Sequence, residues 1–419
     1  MAVQSGLHDV EAAPRDRAAL LGQWNSAVTS YYLILGSATL LVALGLVMVL
    51  SSSSVSSLGL TDGASPYAIF LNQAKFALIG LPLAWIASRV RPGVYKRFAW
   101  HGLALAVVLQ LLVFTPLGVS SHGNRNWLNI GGGQAIQPSE LAKLALAIWL
   151  GVVLARKRPL LNEWLHVLVP GVVVAMAVVG LVLKGDDLGT AIILLVLVGG
   201  ALFVAGVPLR MFGVAAAVAA VAVVALSQVK ESRIARIESF FSGTCDKLNE
   251  CYQTTRGMYG LASGGLTGMG LGESREKWSY LPEGHNDFIF AILGEELGLL
   301  GTLLVLALFG VLAVALTRVI RRHTDPFVQI ATAGIGAWVL GQALVNIAVV
   351  IGLLPVIGVP LPLVSAGGSA LITTMLAIGV LLSFARHEPG AAEALSARAG
   401  VVRRSLAVVG GSARRVRRA

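Results

Sequence analysis

Apolar stretches of about twenty residues recur along this chain, near 31–50, 68–88, 99–119, 139–155, 164–183, 188–207, 211–228, 288–316, 327–351 and 365–385. Each is long enough to cross a hydrocarbon layer of roughly 30 Å as a helix, the one single-segment form that satisfies its own backbone in lipid. The expectation is an all-α integral membrane protein with about ten transmembrane helices. A mean hydropathy of +0.79, with 56% apolar and 13% charged residues, places the chain outside the range of soluble domains.

Loop charge sets the orientation. Basic residues crowd every second loop: Arg89, Arg91, Lys96 and Arg97; then Arg156, Lys157 and Arg158; then Arg210; then Arg318, Arg321 and Arg322. Lys and Arg resist translocation, and the loops near 52–66 and 353–364 contain neither, so both termini are expected in the cytoplasm. Residues 1–28 read as a cytoplasmic segment without a cleavable signal, 29–386 as one polytopic domain, and 387–419 as a basic tail too polar and repetitive to build a core. The tail's arginines suit anionic headgroups or simple topological anchoring, so the net charge of +11 points to membrane lipids and requires no nucleic acid.

The longest non-apolar segment, 229–286, falls outside on this topology, between the seventh and eighth spans, and exceeds the length of a plain connector. Near its start, Ile234, Ile237, Phe240 and Phe241 have helical spacing, which suits a surface-lying or packed loop helix. Cys245 and Cys251, the only cysteines, both lie here in an oxidising compartment and are expected to form a local disulfide. Glycines then recur at Gly257, Gly260, Gly264, Gly265, Gly268, Gly270 and Gly272, a pattern shared by backbone that approaches a ligand and by flexible connectors.

The segment ends in WSYLPEGHNDFIFAILGEELG, Trp278 to Gly298, where a polar loop turns into an apolar helix and sets Asp287 at the membrane surface. An acid there is costly once buried, although one in the first turn of a helix also gains from the helix dipole. With GNRNWLNIGGGQAIQPSELAKL from Gly123 and GLLPVIGVPLPLVSAGGSALITTMLAIGVLLSFARHEP from Gly352, this run resembles the signature of the SEDS family, the polytopic glycosyltransferases that polymerise peptidoglycan from lipid II. Its HNDF run and closing FARHEP are most similar to the family's cell-division branch.

The resemblance implies that one lipid-linked disaccharide is added to a nascent glycan strand, with Asp287 as general base, as metal ligand, or as both. His285 would tune or position that acid, or cap the helix. Pyrophosphate calls for cations or a divalent ion, Mg²⁺ or Mn²⁺, and Arg125, Lys143, Arg256, Arg275 and Lys277 are the candidate cationic residues. Pro138, Ser139, Glu140 and Lys143 match the family's P-S-E-x-x-K; Glu140 and Lys143 share a helix face and either pair or stand open to substrate. Trp127 suits sugar stacking or interface anchoring, with Asn126 before it where the family has arginine. Asp187, Gly189 and Thr190 follow the family's D-L-G-T, while Gly185 and Asp186 depart from its pattern. Ser365, in a small-residue run, is a further substrate candidate, and Gln342 and Asn346 read as interhelical contacts. The implied partners are lipid II, the glycan strand, a class B penicillin-binding transpeptidase and other division proteins in a bacterial plasma membrane at the septum. A lipid-precursor transporter would instead concentrate ionisable groups at mid-membrane, and a structural scaffold would not require Asp287.

Overall fold

The computed structural model describes residues 26, 28–121, 124–131, 134–217, 251–278 and 280–395. Its long helices, with one short connector, are α1 (Thr29–Ser52), α2 (Ser54–Leu60, the connector), α3 (Ala68–Arg89), α4 (Pro92–Leu112), α5 (Pro138–Lys157), α6 (Trp164–Lys184) and α7 (Leu188–Ala205). After the outer segment come α8 (Tyr252–Ser263), α9 (Ile289–Arg322), α10 (Pro326–Val350) and α11 (Gly368–Arg386). Eight of these are long and apolar enough to span a membrane. Helix α4 fills the place of another expected span, with basic residues Lys96 and Arg97 in its early turns. The span expected at 211–228 begins as helix at 209–217 and then passes outside the described residues, as do residues 1–25, the helix expected at 230–241, Cys245 and the end of the tail.

One element departs from the all-helical expectation. The apolar run at 99–119 does not stay helical to its end: α4 starts early on Pro92 and stops at Leu112, and Thr115, Pro116 and Gly118 turn the chain into a small sheet. Strands β1 (Gly118–Ser121), β2 (Asn124–Gly131) and β3 (Gln134–Ile136) pair antiparallel in chain order. Residues Asn124 to Leu128 alternate in burial, so Asn126 and Leu128 turn inward while Arg125 is exposed.

Helices α5, α10 and α11 are the most enclosed, and α3 is largely lipid-facing. Small residues let them approach closely: a Cβ on Gly379 would stand 2.4 Å from the Ala84 carbonyl oxygen, and one on Gly200 2.3 Å from the Ala337 Cβ. At the inner end the basic loops meet one another. Lys96 pairs with Asp325 at 2.5 Å, Arg158 donates to Gln329 at 3.1 Å, and Arg322 donates to the Ser26 carbonyl at 3.3 Å.

Helix α9 is broken at Gly298, whose φ of 68° and ψ of −163° lie outside the helical range. The break frees backbone groups that the glycine loop takes up: Met269 and Gly270 N–H donate to the Glu295 and Glu296 carbonyls, both at 3.0 Å. In return, Leu299 and Leu300 N–H donate to the Gly265 and Leu266 carbonyls at 2.9 and 3.2 Å. The contact is so close that a Cβ on Gly264 would lie 1.9 Å from the Gly294 carbonyl oxygen. These glycines therefore serve a backbone-to-backbone contact with α9.

Candidate functional site

At the outer end a cavity of about 620 Å³ opens between the helix ends. Asp287 and His285 enter it from the loop before α9, Glu140 and Lys143 from the first turns of α5, and Trp127 and Asn126 from β2. Asn72 and Gln73 of α3, Gln137, Asp187, Gln253 and Gln342 complete its polar lining.

The loop that carries Asp287 is held through its backbone. Asn346 of α10 donates to the carbonyls of Asp287 and Val359, both at 2.7 Å. Ser365 Oγ donates to the Asn286 carbonyl at 2.7 Å and accepts from Leu361 N–H at 2.8 Å, while Ala366 N–H donates to the His285 carbonyl at 3.0 Å. Gln73 clasps the far side, donating to the Ser365 carbonyl and accepting from Gly367 N–H, each at 3.1 Å. Such a frame fixes where the carboxylate stands. Burial holds the half-buried His285 imidazole below its ordinary pKa, against the upward pull of Glu283, and so favours the neutral ring.

Opposite lies a buried polar knot. Lys143 and Glu140, 2% and 3% exposed, pair at 2.8 Å, and Lys143 also donates to Gln342 Oε1 at 3.0 Å. Its ammonium lies 4.9 Å from the Trp338 ring centroid, and Trp338 Nε1–H donates to the same Gln342 oxygen at 2.9 Å. Gln342 in turn donates to the Pro360 carbonyl at 2.8 Å. The Glu140 Oε2 atom is buried and has no hydrogen-bond partner among the described residues. Asp187 caps α7, accepting from Thr190 N–H at 2.9 Å, and its other oxygen accepts from Gln137 Nε2–H at 2.9 Å.

Other candidate residues stand elsewhere. Arg125 donates to the Val113 and Thr115 carbonyls at 3.2 and 2.9 Å, tying β2 to the end of α4 outside the cavity lining. Arg256 lies over the Tyr280 and Tyr252 rings, at 4.9 and 5.4 Å from their centroids, and pairs with Glu276 at 3.5 Å. Lys277 donates to the Gly272 carbonyl and stands 4.0 Å from Glu296. Ser365 acts on the loop backbone as described, rather than lining the space itself. Cys251 is disulfide-bonded, while Cys245 lies outside the described residues. Sequence reasoning passed over Asn72, Gln73 and Gln137. The signal for the first two was an amide pair interrupting an apolar run, AIFLNQAKFAL.

Among the described residues no group of three or more His, Cys, Asp or Glu forms a metal cage. A divalent cation here would have to take most of its ligands from outside the protein, with Asp287 as the carboxylate that could hold it.

The sequence matches the profile of the FtsW/RodA/SpoVE group, described as cell cycle protein, over residues 31–389. It is 43% identical over 393 residues to a probable peptidoglycan glycosyltransferase FtsW of Mycobacterium tuberculosis, covering 92% of this chain and 73% of that one. Among solved structures, a chain of a peptidoglycan synthase complex superposes with a TM-score of 0.69 at 26% identity, over 84% of this chain and 96% of that one. Thermus thermophilus RodA, a rod shape determining protein, gives 0.62 at 26% identity, over 85% and 96%. With the family profile matched from residue 31 to 389, a relative 43% identical over 92% of the chain and the fold shared with solved members, this chain belongs to the FtsW/RodA/SpoVE family of multi-pass membrane proteins, the SEDS proteins.

Proposed function

We propose that this protein is a peptidoglycan glycosyltransferase that polymerises lipid II into glycan strands, releasing undecaprenyl pyrophosphate, during septal wall synthesis. The observation that carries the reading is Asp287, set in the wall of an outer polar cavity by a loop whose backbone is held from α10 and the 361–367 segment. A hydroxyl of the acceptor sugar gives its proton to the Asp287 carboxylate as its oxygen bonds to the anomeric carbon of the donor. The bond from that carbon to the pyrophosphate oxygen breaks on the opposite face, and the leaving group keeps the electron pair. Burial favours the neutral imidazole of His285 beside the acid.

Lys143 is engaged by Glu140 and Gln342; Asp287 would be the residue to hold a divalent cation, Mg²⁺ or Mn²⁺, and such an ion would supply charge to neutralise the leaving pyrophosphate. The FtsW relatives and the match to a chain of a peptidoglycan synthase complex support a division role with a partner enzyme, for which a class B penicillin-binding transpeptidase, alongside other septal membrane proteins, is our expectation.

The test is polymer formation from lipid II by the purified chain with its candidate transpeptidase, comparing wild type, Asp287→Ala and Asp287→Asn. Loss of a general base is expected to lower the rate roughly 10²–10⁴-fold. Equal polymer from all three removes Asp287 from the chemistry. Absence of polymer from every sample, with folding and partner binding intact, overturns the polymerase reading.

A further inference from the structure

The glycine loop between α8 and the Asp287 segment has side chains that its contact with α9 does not explain. Leu266 and Leu271 are 70% and 56% exposed. The Leu266 carbonyl is bonded to Leu300 N–H, so this residue stands beside Leu299 and Leu300, and exposed leucines continue along α9 at Leu303 and Leu304. That leucine band belongs to the most apolar of the described spans, with a mean hydropathy of 2.8, and faces lipid. The loop extends it without a gap.

Backbone chemistry points the same way. Irregular backbone near hydrocarbon persists only where its polar groups are paired, since no water is there to take them. Between Gly264 and Gly270, the Gly265 and Leu266 carbonyls and the Met269 and Gly270 N–H groups are bonded to α9, and Gly268 N–H to the Gly264 carbonyl at 2.8 Å, while the Gly265, Leu266 and Thr267 N–H groups have no partner among the described residues, which suits the edge of the hydrocarbon within reach of water rather than its depth. Span length is a third observation. Measured outward from Arg318, a hydrocarbon layer of roughly 30 Å takes up about twenty residues of helix, which reaches the break at Gly298.

We propose that residues 264–271 are seated in the outer leaflet at the hydrocarbon boundary, with Leu266 and Leu271 among the acyl chains and the lipid itself as their partner. The broken outer part of α9 then stands above the hydrocarbon, and the start of α9 next to Asp287 lies about 15 Å higher, among headgroups and water.

The full chain carrying Leu266→Cys, labelled with an environment-sensitive fluorophore in phosphatidylethanolamine and phosphatidylglycerol nanodiscs, tests this. Leu303→Cys on the lipid face of α9 and Ala64→Cys in the exposed outer loop after α2 are the references, and the fold of each is checked by its thermal unfolding. Quenching by a lipid spin-labelled near the top of its acyl chain should match that at Leu303, and the iodide quenching seen at Ala64 should be lost. Iodide quenching equal to that at Ala64 overturns the proposal. So does shielding from both quenchers, which would place the loop under protein.

Discussion

Asp287 shows how little of a side chain's role resides in the side chain alone: its position is set by hydrogen bonds to the carbonyls of Asp287, Asn286 and His285. Removal of divalent ions by a chelator is expected to abolish polymerisation and addition of Mg²⁺ or Mn²⁺ to restore it, read as glycan formed from lipid II. A full rate in the chelator would leave the pyrophosphate to protein cations alone. Lys143→Met would strand the Glu140 carboxylate out of water, at a cost of about 3–5 kcal/mol, and the double change with Glu140→Gln should cost less than the two single ones summed. A double-mutant cycle of thermal unfolding in detergent measures this. For His285 the folded pKa is depressed by burial, so its contribution to stability is complete above the ordinary value near 6.5 and is lost as pH falls through the folded value. The unfolding temperature of wild type should therefore fall with acidification in that window, and His285→Gln should flatten the slope. At this scale the sequence blocks brought Asp287, His285, Glu140, Lys143 and Trp127 to one cavity, whereas Arg125, Arg256 and Lys277 proved to be engaged outside it. Strand alternation turned Arg125 outward, and no such strand was expected in an all-α chain.

Among the elements, α9 carries the feature that periodicity could not show. Gly294 to Gly301 reads as uninterrupted helix, and only the packed glycine loop makes the break at Gly298 sustainable. Gly268→Ala isolates the contact. A Cβ there would lie 2.1 Å from the Glu296 carbonyl oxygen at a φ of +84°, whereas Gly63 has the same φ with nothing within 4 Å. Backbone strain alone is worth roughly 1–3 kcal/mol. Thermal unfolding should show that cost for Gly63→Ala and a larger one for Gly268→Ala; equal losses would mean that the loop is free to move off α9. The spans themselves were legible because hydropathy reports burial in lipid directly. The sheet was not, because its short polar strands have no apolar run to announce them.

Across the whole molecule, the cavity draws its walls from helix ends that are far apart in sequence, and hydrogen bonds join them. Gln137, at the start of α5, reaches Asp187 at the start of α7 through its side chain, and its N–H donates to Ser369 of α11 at 3.3 Å. Gln73 of α3 holds the approach to α11 on one side, and Asn346 of α10 holds the Asp287 loop on the other. Vesicles carrying fluorescent lipid II and this protein should therefore move no more of it between leaflets than empty vesicles do, read with a membrane-impermeant quencher. Faster movement would restore the transporter reading. A carrier that alternates between two sides must part its outer helix ends once per cycle, and here each parting would break ties of about 1 kcal/mol apiece between α3, α5, α7, α10 and α11. A glycosyltransferase has no such cycle to run, so the same lacing could stay closed through every turnover while the strand, rather than the protein, changes place.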